Sequence, residues 1–243
     1  MTMQNTESKP AIGAQNAIGA RKPDAAADRS PVGKDALWRL PVTVCRITDF
    51  LGPAASGALL ERVVSLGDAA LRPSTVRVTR DVDTRIRRSR TDHGFGAEEL
   101  LAAIEAVREV VELTLGLDCA GTEPRYGLNV HNDGDYYGPH QDSTHDFAPD
   151  RVLTFVYYLH HAPRRFEGGD LRVYDISLPV TSEGTATWEG RTWRDYEPEH
   201  DSIVFFRPTA WHEVRPVTCP TGRYEDSRFA VNGWMTRVSE NGS

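Results

Sequence analysis

Cysteine is scarce in this chain of 243 residues: Cys45, Cys119 and Cys219 are odd in number and widely scattered. That excludes a disulfide framework, and no CxxC pair offers a zinc knuckle. A reducing, cytoplasmic compartment is the expectation. Long apolar runs are missing too. No stretch approaches the roughly 20 residues that a membrane-spanning helix needs, and no continuous apolar core of a secretory signal follows the start. Positive charge is in deficit, 28 Lys and Arg against 35 Asp and Glu for a net charge of −7. This balance argues against a nucleic-acid backbone as the main partner. There is no GxSxG, no Walker loop and no dinucleotide fingerprint, and Gly67-Asp68 and Gly94-Phe95-Gly96 are too sparse to cradle phosphate. No internal repeat is visible.

Aromatic and long aliphatic side chains are almost absent from residues 1–36. Such a segment cannot bury enough apolar surface to offset its ordering entropy, and it reads as a disordered tail before one domain at 37–243. Within that domain, Val42–Ile47 predicts a short strand and a helix opens near Pro53, with Leu59, Leu60, Val63 and Val64 as its apolar face. The clearest helix runs from about Ala97 to Leu117, where Leu100, Ile104, Val107, Val111 and Leu115 recur at spacings of three and four. From Tyr126 onward short β-rich runs alternate with turn signals: Tyr126–His131, Val152–Leu159, Leu171–Tyr174, Ser202–Phe206 and Phe229–Met235. Two helices followed by many short strands predict an α+β fold, with helices covering one face of a barrel or jelly roll.

The most informative stretch is Tyr137-Gly138-Pro139-His140-Gln141-Asp142. On an extended strand, residues two apart share a side, so His140 and Asp142 could converge on one ion while Gln141 faces away. These two alone fit a core histidine oriented by a carboxylate equally well. A third ligand is available in Trp211-His212-Glu213-Val214, which follows the apolar run Ile203–Phe206. Two imidazoles and one carboxylate make the facial triad of non-haem Fe(II) oxygenases, with three coordination positions left open. Zinc hydrolases also use such ligands, but there is no HExxH helix here. Downstream, Arg228 opens a strand, and its guanidinium could grip a carboxylate with two parallel hydrogen bonds, a geometry that lysine lacks.

His-x-Asp, then His-Glu-Val-x-Pro-Val, then Arg-Phe-Ala-x-x-Gly-Trp resembles the prolyl 4-hydroxylase-like branch of the Fe(II)/2-oxoglutarate dioxygenases. The pattern order spans roughly Val42 to Arg237 and is specific from Tyr126 to Trp234. The resemblance implies a double-stranded β-helix of the jelly-roll or cupin type with N-terminal flanking helices. It implies Fe(II) held by His140, Asp142 and His212, with 2-oxoglutarate and O2 as co-substrates and ascorbate as a candidate reductant. Arg228 would bind the distal carboxylate of 2-oxoglutarate, Tyr137 would line the site, and Glu167-Gly168-Gly169 would form a structural turn. No catalytic side chain beyond the metal centre is implied. Asp142 stands where related halogenases have a small residue, which favours hydroxylation.

Two departures stand out. His131 occupies a position where the family often has a tyrosine that helps to hold 2-oxoglutarate; it contacts the co-substrate or fills the wall. The His212-to-Arg228 gap is long, which makes Arg223 a rival for the carboxylate. For the substrate, the cluster Arg80, Arg85, Arg87, Arg88 and Arg90 is either a solvated face or a contact surface. Arg88 and Arg90, two apart, are the candidates for a shared facing at the site mouth. Trp188, Trp193 and Tyr196 predict a hairpin packed on the barrel edge or a substrate lid. The expected substrate is a small or amino-acid-derived molecule, plausibly anionic. A peptidyl hydroxylase and a cupin-like metal-binding sensor are the alternatives. Oligomeric state is not legible.

Overall fold

The computed structural model describes residues 37–76, 81–179 and 191–238. The expectations for residues 1–36, Arg80, Trp188 and the Glu189-Gly190 turn lie outside these residues. In chain order the elements are β1 (Leu37–Leu40), β2 (Val44–Ile47), α1 (Pro53–Leu66), β3 (Arg72–Pro73), β4 (Arg87–Arg88), β5 (Arg90–Asp92) and α2 (Glu98–Leu115). Then follow β6 (Thr122–His131), β7 (Tyr136–His140), β8 (Arg151–Leu159), β9 (Glu167–Gly168), β10 (Leu171–Tyr174) and β11 (Ile176–Pro179). The chain finishes with β12 (Trp193–Tyr196), β13 (Ser202–Phe206), β14 (His212–Val214), β15 (Val217–Thr218) and β16 (Arg228–Arg237). No helix among the described residues is long and apolar enough to cross a membrane.

A seven-stranded antiparallel sheet has the order β2-β13-β8-β16-β6-β5-β3, and a five-stranded one has the order β12-β10-β14-β7-β4. From β6 onward the chain passes back and forth between them. β6, β8, β13 and β16 lie in the larger sheet and β7, β10, β12 and β14 in the smaller. This is the eight-stranded double-stranded β-helix. β12 pairs with β10 at the edge of the smaller sheet, Leu171 opposite Tyr196 and Tyr174 opposite Trp193. Three short strands, β3 to β5, sit between α1 and α2, where the sequence pattern alone showed no strand.

Alternation along the large-sheet strands assigns every side chain to one of two cores. Phe155, Tyr157 and Leu159 of β8, Ile203 and Phe205 of β13, and Phe229 and Val231 of β16 pack beneath the helices. They meet Leu59 and Val63 of α1 and Leu100, Ile104, Val111 and Leu115 of α2, all fully or nearly fully buried. Gly116 in the left-handed region (φ 61°) ends α2, its N–H bonding to the Glu112 carbonyl. The opposite parity, Val156 and Tyr158, Val204 and Phe206, and Ala230, faces the smaller sheet. The same parity turns Thr154, Asn129, His131, Arg228 and Asn232 into the barrel, where their polar groups need partners.

One edge of each sheet is short and charged. β3 is Arg72-Pro73 and β4 is Arg87-Arg88, each paired on one side only.

Candidate metal centre

His140 ends β7 and His212 begins β14, and the two residues lie opposite each other in the register of these paired strands. The imidazole rings are tilted at 55° with centroids 4.1 Å apart. Asp142 stands beyond the end of β7, so strand alternation is not what turns it inward, as the spacing had suggested. Its N–H instead donates to the Pro208 carbonyl at 2.9 Å, and Gln141 turns away to donate to the Thr209 carbonyl at 2.6 Å. The Asp142 oxygens lie 3.9 Å from His140 Nε2 and 3.5 Å from His212 Nε2. One ligand atom from each of the three residues falls within 4.8 Å of the others, a spacing that could hold a metal ion.

The surroundings prepare these atoms. His140 Nδ1 lies 2.9 Å from the Gly138 carbonyl and His212 Nδ1 lies 2.9 Å from the Ala210 carbonyl. A carbonyl can only accept, so each Nδ1 carries the proton and each Nε2 presents a lone pair to the shared space. Thr154 Oγ1 donates to Asp142 Oδ2 at 3.0 Å and fixes the carboxylate. Burial first, then the neighbouring His212 ring, push the His140 pKa down to about 3 against the opposing effect of Asp142. The ring is therefore neutral and ready to ligate.

The cavity over this cluster is also lined by Tyr137, His131 and Arg228. Tyr137 stacks on His140 with centroids 3.6 Å apart and 17° between planes. At the deep end, Arg228 opens β16 directly opposite His131 of β6 and is only 1 % exposed. Its Nε donates to the Gly169 carbonyl at 2.7 Å, and Nη1 lies 3.4 Å from His131 Nδ1. Gly169 has to be glycine: at φ +73° a Cβ would stand 2.7 Å from Arg228 Cδ. Arg228 Nη2, the Tyr158 hydroxyl and His131 Nε2 are buried without a hydrogen bond of acceptable geometry among the described residues. Burial lowers the Arg228 pKa, raises that of Tyr158, and with Arg228 and then Arg87 holds His131 well below the ordinary histidine range. A buried guanidinium beside an unsatisfied hydroxyl donor fits an incoming carboxylate, which would relieve that desolvation cost. Both halves of the site thus suit a metal ion and a dicarboxylate.

Of the other residues singled out from sequence, Arg223 is exposed, bonded to Glu225 and not part of the lining of this cavity. Arg88 and Arg90 line none of it, and both border a separate pocket together with Asp133 and Asp135. Arg88 pairs opposite Tyr136 and lies 3.6 Å from Asp135, whereas Arg90 pairs opposite Val130 and reaches Asp68. The two do not lie on one continuous strand, because the chain leaves the smaller sheet at β4 and enters the larger one at β5, with Ser89 between them. The arginine that does enter the cavity is Arg87. Thr154, Tyr158, Asn129 and Asn232 were also missed. Each stands an even number of residues from a neighbour on its own strand that faces inward, and that parity was the available signal.

A double-stranded β-helix carrying two imidazoles and a carboxylate on one face is the scaffold of a non-haem metal-dependent oxygenase. Residues 126–236 match the model of the 2OG-Fe(II) oxygenase superfamily. A Pseudomonas putida prolyl-4-hydroxylase superimposes with a TM-score of 0.58 at 25% identity, covering 81% of this chain and 94% of that one. An uncharacterized PKHD-type hydroxylase of Synechocystis sp. is 29% identical over 206 residues, or 82% of this chain. The alignment spans 64% of that relative's length, a little under two thirds. The fold is shared with a Trichoplax adhaerens prolyl hydroxylase in complex with a hypoxia inducible factor peptide fragment, at TM-score 0.58, 18% identity and coverages of 79% and 83%. Over its β-helix core the chain is thus similar to the 2OG-Fe(II) oxygenases, and the relatives it resembles include prolyl-4-hydroxylase and PKHD-type hydroxylase proteins. The cofactor set of that family is Fe(II), 2-oxoglutarate and O2.

Proposed function

We propose that this protein is an Fe(II)- and 2-oxoglutarate-dependent hydroxylase acting on an unactivated C–H bond of a small or amino-acid-derived substrate. His140, Asp142 and His212 are its iron ligands, and Arg228 is the anchor of 2-oxoglutarate. One observation carries this reading: a cluster of three ligand atoms within 4.8 Å shares a single cavity with a buried arginine whose Nη2 has no well-formed hydrogen bond among the described residues. Bound iron and 2-oxoglutarate supply the oxidising chemistry, in which one O2 gives succinate and CO2 with one oxygen atom and a hydroxylated product with the other. The protein contributes placement. His140 and His212 are held in the Nδ1-protonated tautomer by backbone carbonyls, and Thr154 orients Asp142. The Arg228 guanidinium, with the Tyr158 hydroxyl and His131 beside it, orients the distal carboxylate of the co-substrate and so sets which end faces the metal. The apolar walls at Val156, Leu171 and Ala230 exclude water from the reacting end.

A second reading, hydroxylation of a peptidyl residue, is favoured by the likeness to the Pseudomonas putida prolyl-4-hydroxylase. The test of the common core is direct. Anaerobic Fe(II) plus 2-oxoglutarate should give a weak visible charge-transfer band in the wild type, and aeration should release succinate. A wild-type protein with neither property is not a 2-oxoglutarate oxygenase.

A further inference from the structure

The sheet places two of the three metal ligands and leaves the third to a loop. His140 and His212 lie opposite each other on the paired strands β7 and β14. Asp142 lies beyond the end of β7, in the connection to β8, where no strand ladder fixes its backbone. The tip of that connection is open to solvent, with the His145 side chain 99% and that of Asp146 96% exposed. Asp142 itself is only 6% exposed. Exposed loops are the more mobile parts of a fold, and a metal ligand tolerates little displacement. We propose that Arg151 is the positioning residue for Asp142, holding its backbone from the far end of the loop. This rests on the ligand set assigned above and adds the group that aims one member of it.

Arg151 is the first residue of β8, and its Nη1 donates to the Asp142 carbonyl at 3.1 Å. That bond completes a set. The N–H groups of Asp142 and Ser143 both donate to the Pro208 carbonyl, at 2.9 and 3.1 Å. The peptide unit on each side of the Asp142 Cα is therefore held, one by Pro208 and the other by Pro208 and Arg151 together. Peptide units are planar, so pinning both of them fixes the backbone dihedrals of Asp142 and the direction in which its side chain leaves the chain. Thr154 Oγ1, also from β8, then sets the rotation of the carboxylate.

A bulge aims Arg151 at this task. On a regular strand Arg151 and Thr154, three apart, would face opposite ways. In the pairing of β8 with β16, Thr154 lies opposite Trp234 and Leu153 opposite Met235, but Thr236 meets Arg151 rather than Val152. The extra residue returns Arg151 to the face of Thr154 and Trp234, as bulges beside functional sites do. The Arg151 guanidinium carbon then lies 3.5 Å from the centre of the Trp234 ring. A planar guanidinium can rest on a ring and still donate from its edge, whereas an ammonium has no plane to rest there and makes a looser clamp. Trp234 lines the metal cavity, and Arg151 lines a separate pocket with Arg125, Asp150 and Arg237. Arg151 thus acts through Asp142 and not on the metal directly.

The experiment measures Mn(II) binding to the metal-free protein from the loss of the free-ion EPR signal, beside thermal melts without metal. Loss of a group that orients a ligand costs about 10–100-fold in metal affinity. Arg151→Met keeps an apolar stem against Trp234 and removes the donor, so its affinity should fall by that factor. Arg151→Lys should lose less than Arg151→Met and still bind more weakly than the wild type. Leu100→Ala is the control for a purely structural loss, since Leu100 lies in the core beneath the helices. It should lower the melting temperature and leave Mn(II) affinity unchanged. Wild-type affinity in Arg151→Met would overturn the proposal, as would wild-type affinity in Arg151→Lys if the methionine variant does not fold. So would a loss of affinity in Leu100→Ala as large as that in Arg151→Met, because affinity would then merely follow stability. A wild-type protein that binds no Mn(II) would instead sink the ligand assignment itself.

Discussion

Replacing Arg228 with methionine separates what its burial costs from what its charge does. In the wild type, 2-oxoglutarate at about a hundred times its Kd, with Mn(II) in place of iron, stabilises the folded state by about 2.7 kcal/mol. For a domain of this size that is roughly 5–10 °C in Tm. Loss of the guanidinium should weaken 2-oxoglutarate binding by about 2–5 kcal/mol, a factor of roughly 30 or more. The same concentration then reaches at most about three times the new Kd, and the stabilisation falls below about 1 kcal/mol. Without ligand the two consequences oppose each other. Removing a buried charge that has no acidic partner within ion-pair distance among the described residues is favourable. Losing the Nε donor leaves the Gly169 carbonyl unsatisfied, a cost of about 1–3 kcal/mol. The ligand-free variant should therefore lie within about 2 kcal/mol of wild type. Thermal melts followed by circular dichroism, with and without 2-oxoglutarate, read both quantities. Arg223→Met is the control and should keep the full shift, because that side chain is exposed and bonded to Glu225. A full ligand shift in Arg228→Met, or its loss in Arg223→Met, would refute the assignment.

Other outcomes follow from the same geometry. His140→Ala or His212→Ala should abolish the anaerobic charge-transfer band, and full iron binding in both variants would show that the ligand set is wrong. Gly169→Ala would push a methyl group against Arg228, so it should lose most of the 2-oxoglutarate-induced Tm shift while keeping metal binding; an unchanged shift would show that the close approach is not needed. His131 and His140 both have folded-state pKa values below the ordinary 6.5, so the unfolded chain binds more protons below that pH. The metal-free protein should therefore lose stability as pH falls from about 6.5, by up to about 1.4 kcal/mol per unit for each ring. Urea titrations across that range check this, His131→Gln should flatten the slope, and a wild-type profile with no slope would contradict the burial of neutral imidazoles. Leu100→Ala should cost about 2–5 kcal/mol of unfolding free energy with no effect on metal binding, since it only opens a hole beneath α2.

The sequence made some of this legible and hid the rest for identifiable reasons. α2 and the strands carrying Phe155, Phe205 and Phe229 could be read because their apolar periods are long and uninterrupted. His140, Asp142, His212 and Arg228 could be read because each lies in a run whose order is distinctive. Arg87 could not be separated from Arg88 and Arg90. Spacing rules assume one continuous strand, and here the chain changes sheets at Ser89. β3, β4 and β5 are two or three residues long, too short for any period to show. Tyr158 sits in an apolar run where a buried hydroxyl is invisible until the strand's two faces are assigned. Asp142 was identified through an argument that does not hold locally, since it is a loop hydrogen bond to Pro208 that turns it inward.

The short outer strands have a consequence for how this protein behaves in a crowded solution. A sheet edge offers unpaired N–H and C=O groups to any passing extended chain, and edges that are long and apolar seed aggregation. Here one edge of the larger sheet is Arg72-Pro73, where proline has no N–H to offer, and one edge of the smaller sheet is Arg87-Arg88. The arginines that look like a basic patch on paper therefore divide their labour within two residues. Arg87 lines the cavity over His140, Asp142 and His212, and Arg88 leaves a half-exposed charge on the outer face of the edge strand. Replacing Arg88 with valine should leave the cavity lining untouched and raise light scattering from the concentrated protein; unchanged scattering would show that this charge does not guard the edge.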